Sequence, residues 1–241
     1  MERFGVSSFR MTIAPGAAYS DAQLDDHRRL ARSRFPWREG FSVSLRAEAS
    51  HRRPLGTLGF GLWNDPFAVS LGQGGAARRL PAPPKAIWFF YCSEPSQLAL
   101  APAATPHGWK ASTLDSPPLP SLVLGPMAAA AVGLAQIPLL RGPILRGALR
   151  AARAAEASIP MALDEEHEYT LSWSEGRASF RVDNTLVLES LYPSRGPLGF
   201  VTWIDNQYAV VSPQAGFGFG VIPTEEEQWL EVRELRLEGG S

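Results

Sequence analysis

The chain contains a single cysteine, Cys92, among 241 residues, which excludes an intrachain disulfide and any metal cage built from several thiolates. Its neighbours Phe89, Phe90 and Tyr91 give that thiol the surroundings of a small buried strand residue rather than a nucleophile. An excess of charge is also missing. With 23 Lys+Arg against 24 Asp+Glu, no global field draws nucleic acid, and no basic stripe interleaved with aromatics does so locally. The amino terminus, MERFGVSSFRMTIAPG, lacks the uninterrupted apolar core of a secretory signal, so a cytoplasmic protein is expected. Between Asp115 and Arg141 there is no charge at all. The run from Ser121 to Leu140 has the length of a membrane span, but Pro126 and Pro138 interrupt it and alanine dominates, so a span is not expected.

What the sequence does have is alternation of period two, the mark of a sheet buried on one face. Tyr169, Leu171 and Trp173 alternate with polar residues, and Ser174-Glu175-Gly176-Arg177 supplies a turn. Ala178, Phe180 and Val182 then lead back, which predicts an antiparallel hairpin. Asp183-Asn184 makes the next turn before Leu186-Val187-Leu188, and Pro197 to Trp203 begins another strand. The segments Phe9 to Ile13, Phe41 to Ala49, Leu58 to Trp63, Ala86 to Cys92, Ala215 to Val221 and Trp229 to Leu237 read as strands too. So many short strands predict an all-β sandwich or barrel. A length of 241 residues allows one or two domains, and neither half has enough strands to close a core, so a single domain over 1–241 is expected. Tyr19 to Arg34, centred on Asp25-Asp26-His27-Arg28-Arg29, reads as a solvated connector or short edge strand.

The middle section is different in kind. A loop rich in Pro, Ala and Ser holds His107-Gly108-Trp109-Lys110, and a helical insertion is expected over about 121–158. From Ile144 to Ala155 it places Arg146, Arg150 and Arg153 on one helical face and Ile144, Leu145, Leu149 and Ala152 on another. Such a helix packs on its own protein or lies on an anionic membrane surface, and it is a candidate lid.

The pattern His167-x-Tyr169-x-Leu171-x-Trp173, followed by Phe180-x-Val182-Asp183-Asn184, resembles the hairpin of the concanavalin A-like jelly-roll sandwiches, especially the family 16 glycoside hydrolases. In those enzymes the second strand ends in valine-aspartate-glycine, where this chain has asparagine. The resemblance implies an antiparallel jelly roll that binds carbohydrate on its concave face. It also implies a strand carrying glutamate, aspartate and glutamate on one face, since retaining hydrolysis needs two carboxyls about 5–5.5 Å apart. No such strand follows Trp63: Ala68-Val69-Ser70-Leu71-Gly72 contains no acid. The one alternating acid trio, Asp164-x-Glu166-x-Glu168, sits at the solvated entry to the hairpin. A standard retaining glycosidase is not expected.

Two readings of function remain. The segment Leu58-Gly59-Phe60-x-x-Trp63-Asn64-Asp65 is echoed by Leu198-Gly199-Phe200-x-x-Trp203-Ile204-Asp205-Asn206, as if two equivalent strands deliver a tryptophan and an Asp/Asn pair to one rim. As a carbohydrate-binding module, the chain would stack sugar on Trp63 and Trp203 and bond hydroxyls through Asn64, Asp65, Asp205, Asn206 and Gln207, with calcium the candidate ion for such oxygen ligands. As a non-hydrolytic enzyme or carrier for an apolar small molecule, it would line a cleft with Trp63, Trp88, Phe90 and Trp203 under the insertion, with Asp65, Asp205 or His107 moving protons.

Overall fold

The computed structural model describes residues 4–5, 8–66, 82–101, 104–117, 142–143, 146–147, 150–212, 214 and 216–239. Two antiparallel sheets pack face to face. The first holds β1 (Phe4–Gly5), β2 (Ser8–Ile13), β4 (Phe41–Ala49), β9 (His167–Ser174), β10 (Arg177–Val182), β11 (Thr185–Ser190) and β15 (Gln228–Glu238), in the order β1-β15-β4-β9-β10-β11 with β2 also on β15. The second runs β3 (Asp21–Asp25), β12 (Gly199–Asp205), β5 (Thr57–Trp63), β6 (Lys85–Cys92), β7 (Gly108–Asp115) and β8 (Arg153–Ser158). A two-stranded ribbon, β13 (Gln207–Ser212) with β14 (Gly216–Val221), follows β12. Strands from before and after the middle section interleave in both sheets.

The alternation seen in the sequence is what packs the two layers together. Phe41, Val43, Leu45, Ala47 and Ala49 of β4 and Tyr169, Leu171 and Trp173 of β9 are buried, and they meet Leu58, Phe60, Leu62, Ile87 and Phe89 from the second sheet in one core. Rings of Phe60, Phe89, Trp109, Tyr169 and Phe180 interlock at its centre, with centroids from 5.1 to 6.0 Å apart. Rings set edge to face at such spacings add to what their burial already contributes. The β10–β11 turn fits its sequence: Asp183 and Asn184 take φ of 47° and 64°, the left-handed pair that a two-residue hairpin turn needs and that Asn and Asp tolerate.

The middle section departs from expectation. Residues 118–141, including the apolar run, lie outside the described residues. Among the described residues, α-helical backbone occurs only at 142–143, 146–147 and 150–151, beside one 3-10 turn at Arg32–Arg34, and no helix is long and apolar enough to cross a membrane. The predicted helix to Ala155, and with it an insertion reaching residue 158, is corrected: Arg153–Ser158 is strand β8. The candidate membrane-surface helix loses its last turn to the sheet. The reason is tertiary. Pairing with β7 from Lys110↔Ser158 to Asp115↔Arg153 satisfies backbone groups along a whole strand edge, and this outweighs alanine's helical preference, the strongest of any residue but a small term beside tertiary context. The stretch read as a loop around Trp109 is itself strand β7.

Candidate functional site

Strand register defines the outer face of the second sheet, the one turned away from the core. On β6 the core takes Ile87, Phe89 and Tyr91, so Trp88 and Phe90 point outward. Pairing lines up Gln23, Trp203, Gly59, Phe90, Lys110 and Ser158 in one row across β3-β12-β5-β6-β7-β8. The next row is Asp25, Val201, Gly61, Trp88, Ser112 and Glu156, and beyond it Trp63 stands between Gly199 and Ala86. Four half-buried rings therefore gather on this face. Trp88 stacks on Phe90 at 5.4 Å, and it lies 5.4 Å from Trp203 and 6.2 Å from Trp63.

The echo between the two segments has a structural cause. β5 and β12 are antiparallel neighbours paired Gly59↔Trp203 and Gly199↔Trp63, so the two Leu-Gly-Phe-x-x-Trp segments face each other across a local two-fold axis. Each glycine makes room for aromatic mass. A Cβ on Gly59 would stand 2.8 Å from the Trp203 ring, and one on Gly199 would stand 2.3 Å from the ring of His27. His27 is buried; its Nδ1 lies 3.1 Å from the Phe200 carbonyl, and its Nε2 accepts from Trp63 Nε1 at 3.0 Å. With Nδ1 at a carbonyl and Nε2 accepting the indole N–H, the ring of His27 is a buried brace for Trp63. The single-rim expectation is corrected by the same register. Because the strands run oppositely, Trp63-Asn64-Asp65 and Trp203-Ile204-Asp205 go to opposite ends.

Two polar atoms on this face have no partner. Trp88 Nε1 and Ser112 Oγ are screened from solvent and make no hydrogen bond, although their residues are register neighbours on the outer face. Leaving such groups unmet costs about 1–3 kcal/mol each. Beside them Lys110 and Glu156 form an ion pair at 3.4 Å, with side chains 0% and 2% exposed. A strap, the loop 93–106, lies over this pair. Lys110 Nζ donates to the carbonyls of Leu98 (2.7 Å) and Thr105 (3.1 Å), while Glu156 Oε2 accepts from the amides of Leu100 (2.7 Å) and Ala101 (3.0 Å).

No family model and no curated protein matches the chain, but solved structures do. LamAcat from Zobellia galactanivorans is 15% identical, aligned over 95% of this chain and 76% of its own, with a TM-score of 0.50. The kappa-carrageenase zobellia_236 from the same organism is 8% identical, aligned over 97% of this chain and 79% of its own, with a TM-score of 0.51. The fold is the concanavalin A-like jelly roll.

Within this jelly roll the predicted site residues divide. Trp63, Trp88, Phe90 and Trp203 come together as the platform. Asn64 and Asn206 are buried, and their amides are engaged within the chain. Asn64 donates to Pro83 O and accepts from Lys85 N; Asn206 accepts from Ser20 N and donates to Ala18 O and Ile222 O. Gln207 is exposed and gives its backbone N–H to Asp205. Asp65, at φ 46°, follows β5 at the end away from Asp205, eight residues past Asp205's register partner Thr57 and at least roughly 20 Å off. His107 pairs with Glu94 at 3.2 Å, beside Gly108. Three strand spacings, about 14 Å, separate it from β12. The three candidate proton-transfer groups do not converge.

Asp205 is the perturbed acid. Burial pushes its carboxyl up to about 6 against the bonds it accepts from Gln207 N and from Thr57 N and Oγ1, and Asp21, its register partner, raises it further. The acid trio lies on the other sheet's side, where Glu166 meets Arg46 and Arg233. Among the described residues no three His, Cys, Asp or Glu side chains are placed to hold a metal ion. Cys92 is buried, and burial pushes its thiol up to about 11. Sequence reasoning missed Ser112, Lys110 and Glu156, all on strands it had read as loop or helix.

Proposed function

We propose that this protein binds a neutral carbohydrate on the outer face of its second sheet and does not cleave it by the two-carboxylate mechanism. The observation that carries the reading is the platform of four half-buried rings, Trp63, Trp88, Phe90 and Trp203, gathered on this face. Flat sugar faces stack on Trp and Phe rings. The jelly-roll likeness to LamAcat and the kappa-carrageenase agrees with this reading at the level of fold. Strand β6 presents Ala86, Trp88, Phe90 and Cys92 outward, none of them an acid. Asp205, Asp65 and His107 stand too far apart to serve as an acid and a nucleophile on one bond.

A glycan array tests the proposal with wild type and Trp203→Ala. Wild type is expected to give a defined set of signals that Trp203→Ala loses while its circular dichroism is unchanged. A blank array for a folded wild-type protein would sink the reading.

A further inference from the structure

The platform is walled on two adjacent sides by elements bonded to the sheet. Along β7 and β8 the strap 93–106, described except for 102–103, is held by Lys110 and Glu156 and by Thr105 Oγ1 to Ser158 Oγ at 3.0 Å. At the Asp205 end the same loop turns across the sheet. Ser93 exchanges bonds with Gly56, its N–H to Gly56 O at 2.9 Å and its Oγ accepting from Gly56 N at 2.9 Å. Gln97 then joins the ribbon as a short parallel bridge, N–H to Ala209 O at 2.9 Å and O from Val211 N–H at 2.8 Å. The described residues of this loop are bonded to β8 at one end and to β13 at the other.

The row through the platform shows what the wall does. Gln23 on β3 is exposed, Trp203 and Phe90 are half-buried, and Lys110, one strand further, is fully buried beneath the strap. The row above ends likewise in Ser112 and the Glu156 side chain, 1% and 2% exposed. Among the described residues the part left uncovered extends from β3 to β6, three strand spacings or about 14 Å, room for two or three pyranose rings.

Resting on the carbohydrate reading, we infer that the walled platform recognises the terminus of a glycan chain, or a short oligosaccharide, rather than the interior of a polymer. A chain that enters over β3 meets the strap after Phe90 and cannot continue across β7.

Calorimetry on the wild-type protein tests this with linear ladders of β-1,3-glucan, β-1,4-glucan and chitin, from disaccharide to octasaccharide, each beside its polymer. The expected result is a molar affinity that levels off at the trisaccharide and a polymer that takes one protein per chain. Bulky capping of one particular terminus should weaken binding at least tenfold. Several proteins per polymer chain, or indifference to capping at both termini, would overturn the inference and leave carbohydrate binding standing. No binding to any ladder, together with a blank array, would remove both.

Discussion

The buried pair beneath the strap supports a sharp prediction. Glu156→Gln keeps an oxygen to accept from Leu100 N and Ala101 N and preserves shape, so the change is close to the removal of one charge. Lys110, 0% exposed and 3.4 Å from the lost carboxylate, is then left with two carbonyls and no counterion. Breaking a buried pair in this way costs about 3–5 kcal/mol, a large share of the 5–15 kcal/mol that holds a typical domain together. For a chain of this length that is a fall in Tm on the order of 10 °C. Urea unfolding followed by tryptophan fluorescence measures it. Lys110→Met added to Glu156→Gln removes the stranded cation but strands Leu98 O and Thr105 O, so the double variant should recover only part of the loss, and the two effects should be clearly non-additive. A loss below about 1 kcal/mol, the value of a solvent-exposed pair, would refute the view that the strap is pinned through a dry ion pair.

Two further predictions concern the face itself. The Asp205 carboxyl stands at about 6 in the folded protein against 3.8 ordinarily, so the unfolded chain releases its proton first as pH rises. Folding stability should be greatest below about pH 4 as far as this group is concerned and should fall up to about pH 6, by no more than about 3 kcal/mol at 1.4 kcal/mol per unit. Asp205→Asn, which can still accept from Thr57 and Gln207, should flatten that slope and stabilise the protein at pH 7, and an unchanged slope in denaturant titrations would contradict it. Gly59→Ala would put a Cβ 2.4 Å from the Phe89 carbonyl and 2.8 Å from the Trp203 ring. It should cost about 1–3 kcal/mol by overpacking and shift tryptophan emission, whereas Gly218→Ala, 4.0 Å from its nearest neighbour, should do neither.

The elements legible in the sequence were those with one wet face. Strand β4 alternates Phe41, Val43, Leu45, Ala47 and Ala49 with Ser, Arg and Glu, and its bounds were read to the residue. Strand β7 was missed because both its faces are buried: Trp109, Ala111 and Thr113 turn toward the core while Lys110 and Ser112 are covered by the strap, so no alternation marks it. Strand β8 was read as helix because its alanines carry a helical preference that only pairing with β7 overrides. The four platform rings were named from sequence, Trp63 and Trp203 through the echoed Leu-Gly-Phe-x-x-Trp segments and Trp88 and Phe90 through the apolar strand that carries them. Their arrangement was not legible, because the antiparallel pairing that sends Trp63 and Trp203 to opposite ends is a long-range fact. The same holds for Asn64 and Asn206, whose bonding partners lie 16 to 188 residues away in the chain.

The most direct test of the central claim is the glycan array run on wild type beside Trp88→Leu, which keeps apolar bulk and removes the central ring of the platform. If that ring stacks on sugar, the variant should bind the same glycans with an affinity lower by about 1 kcal/mol, roughly fivefold. Wild-type binding that Trp88→Leu leaves unchanged, or a wild-type protein that binds no glycan at all, would contradict the account.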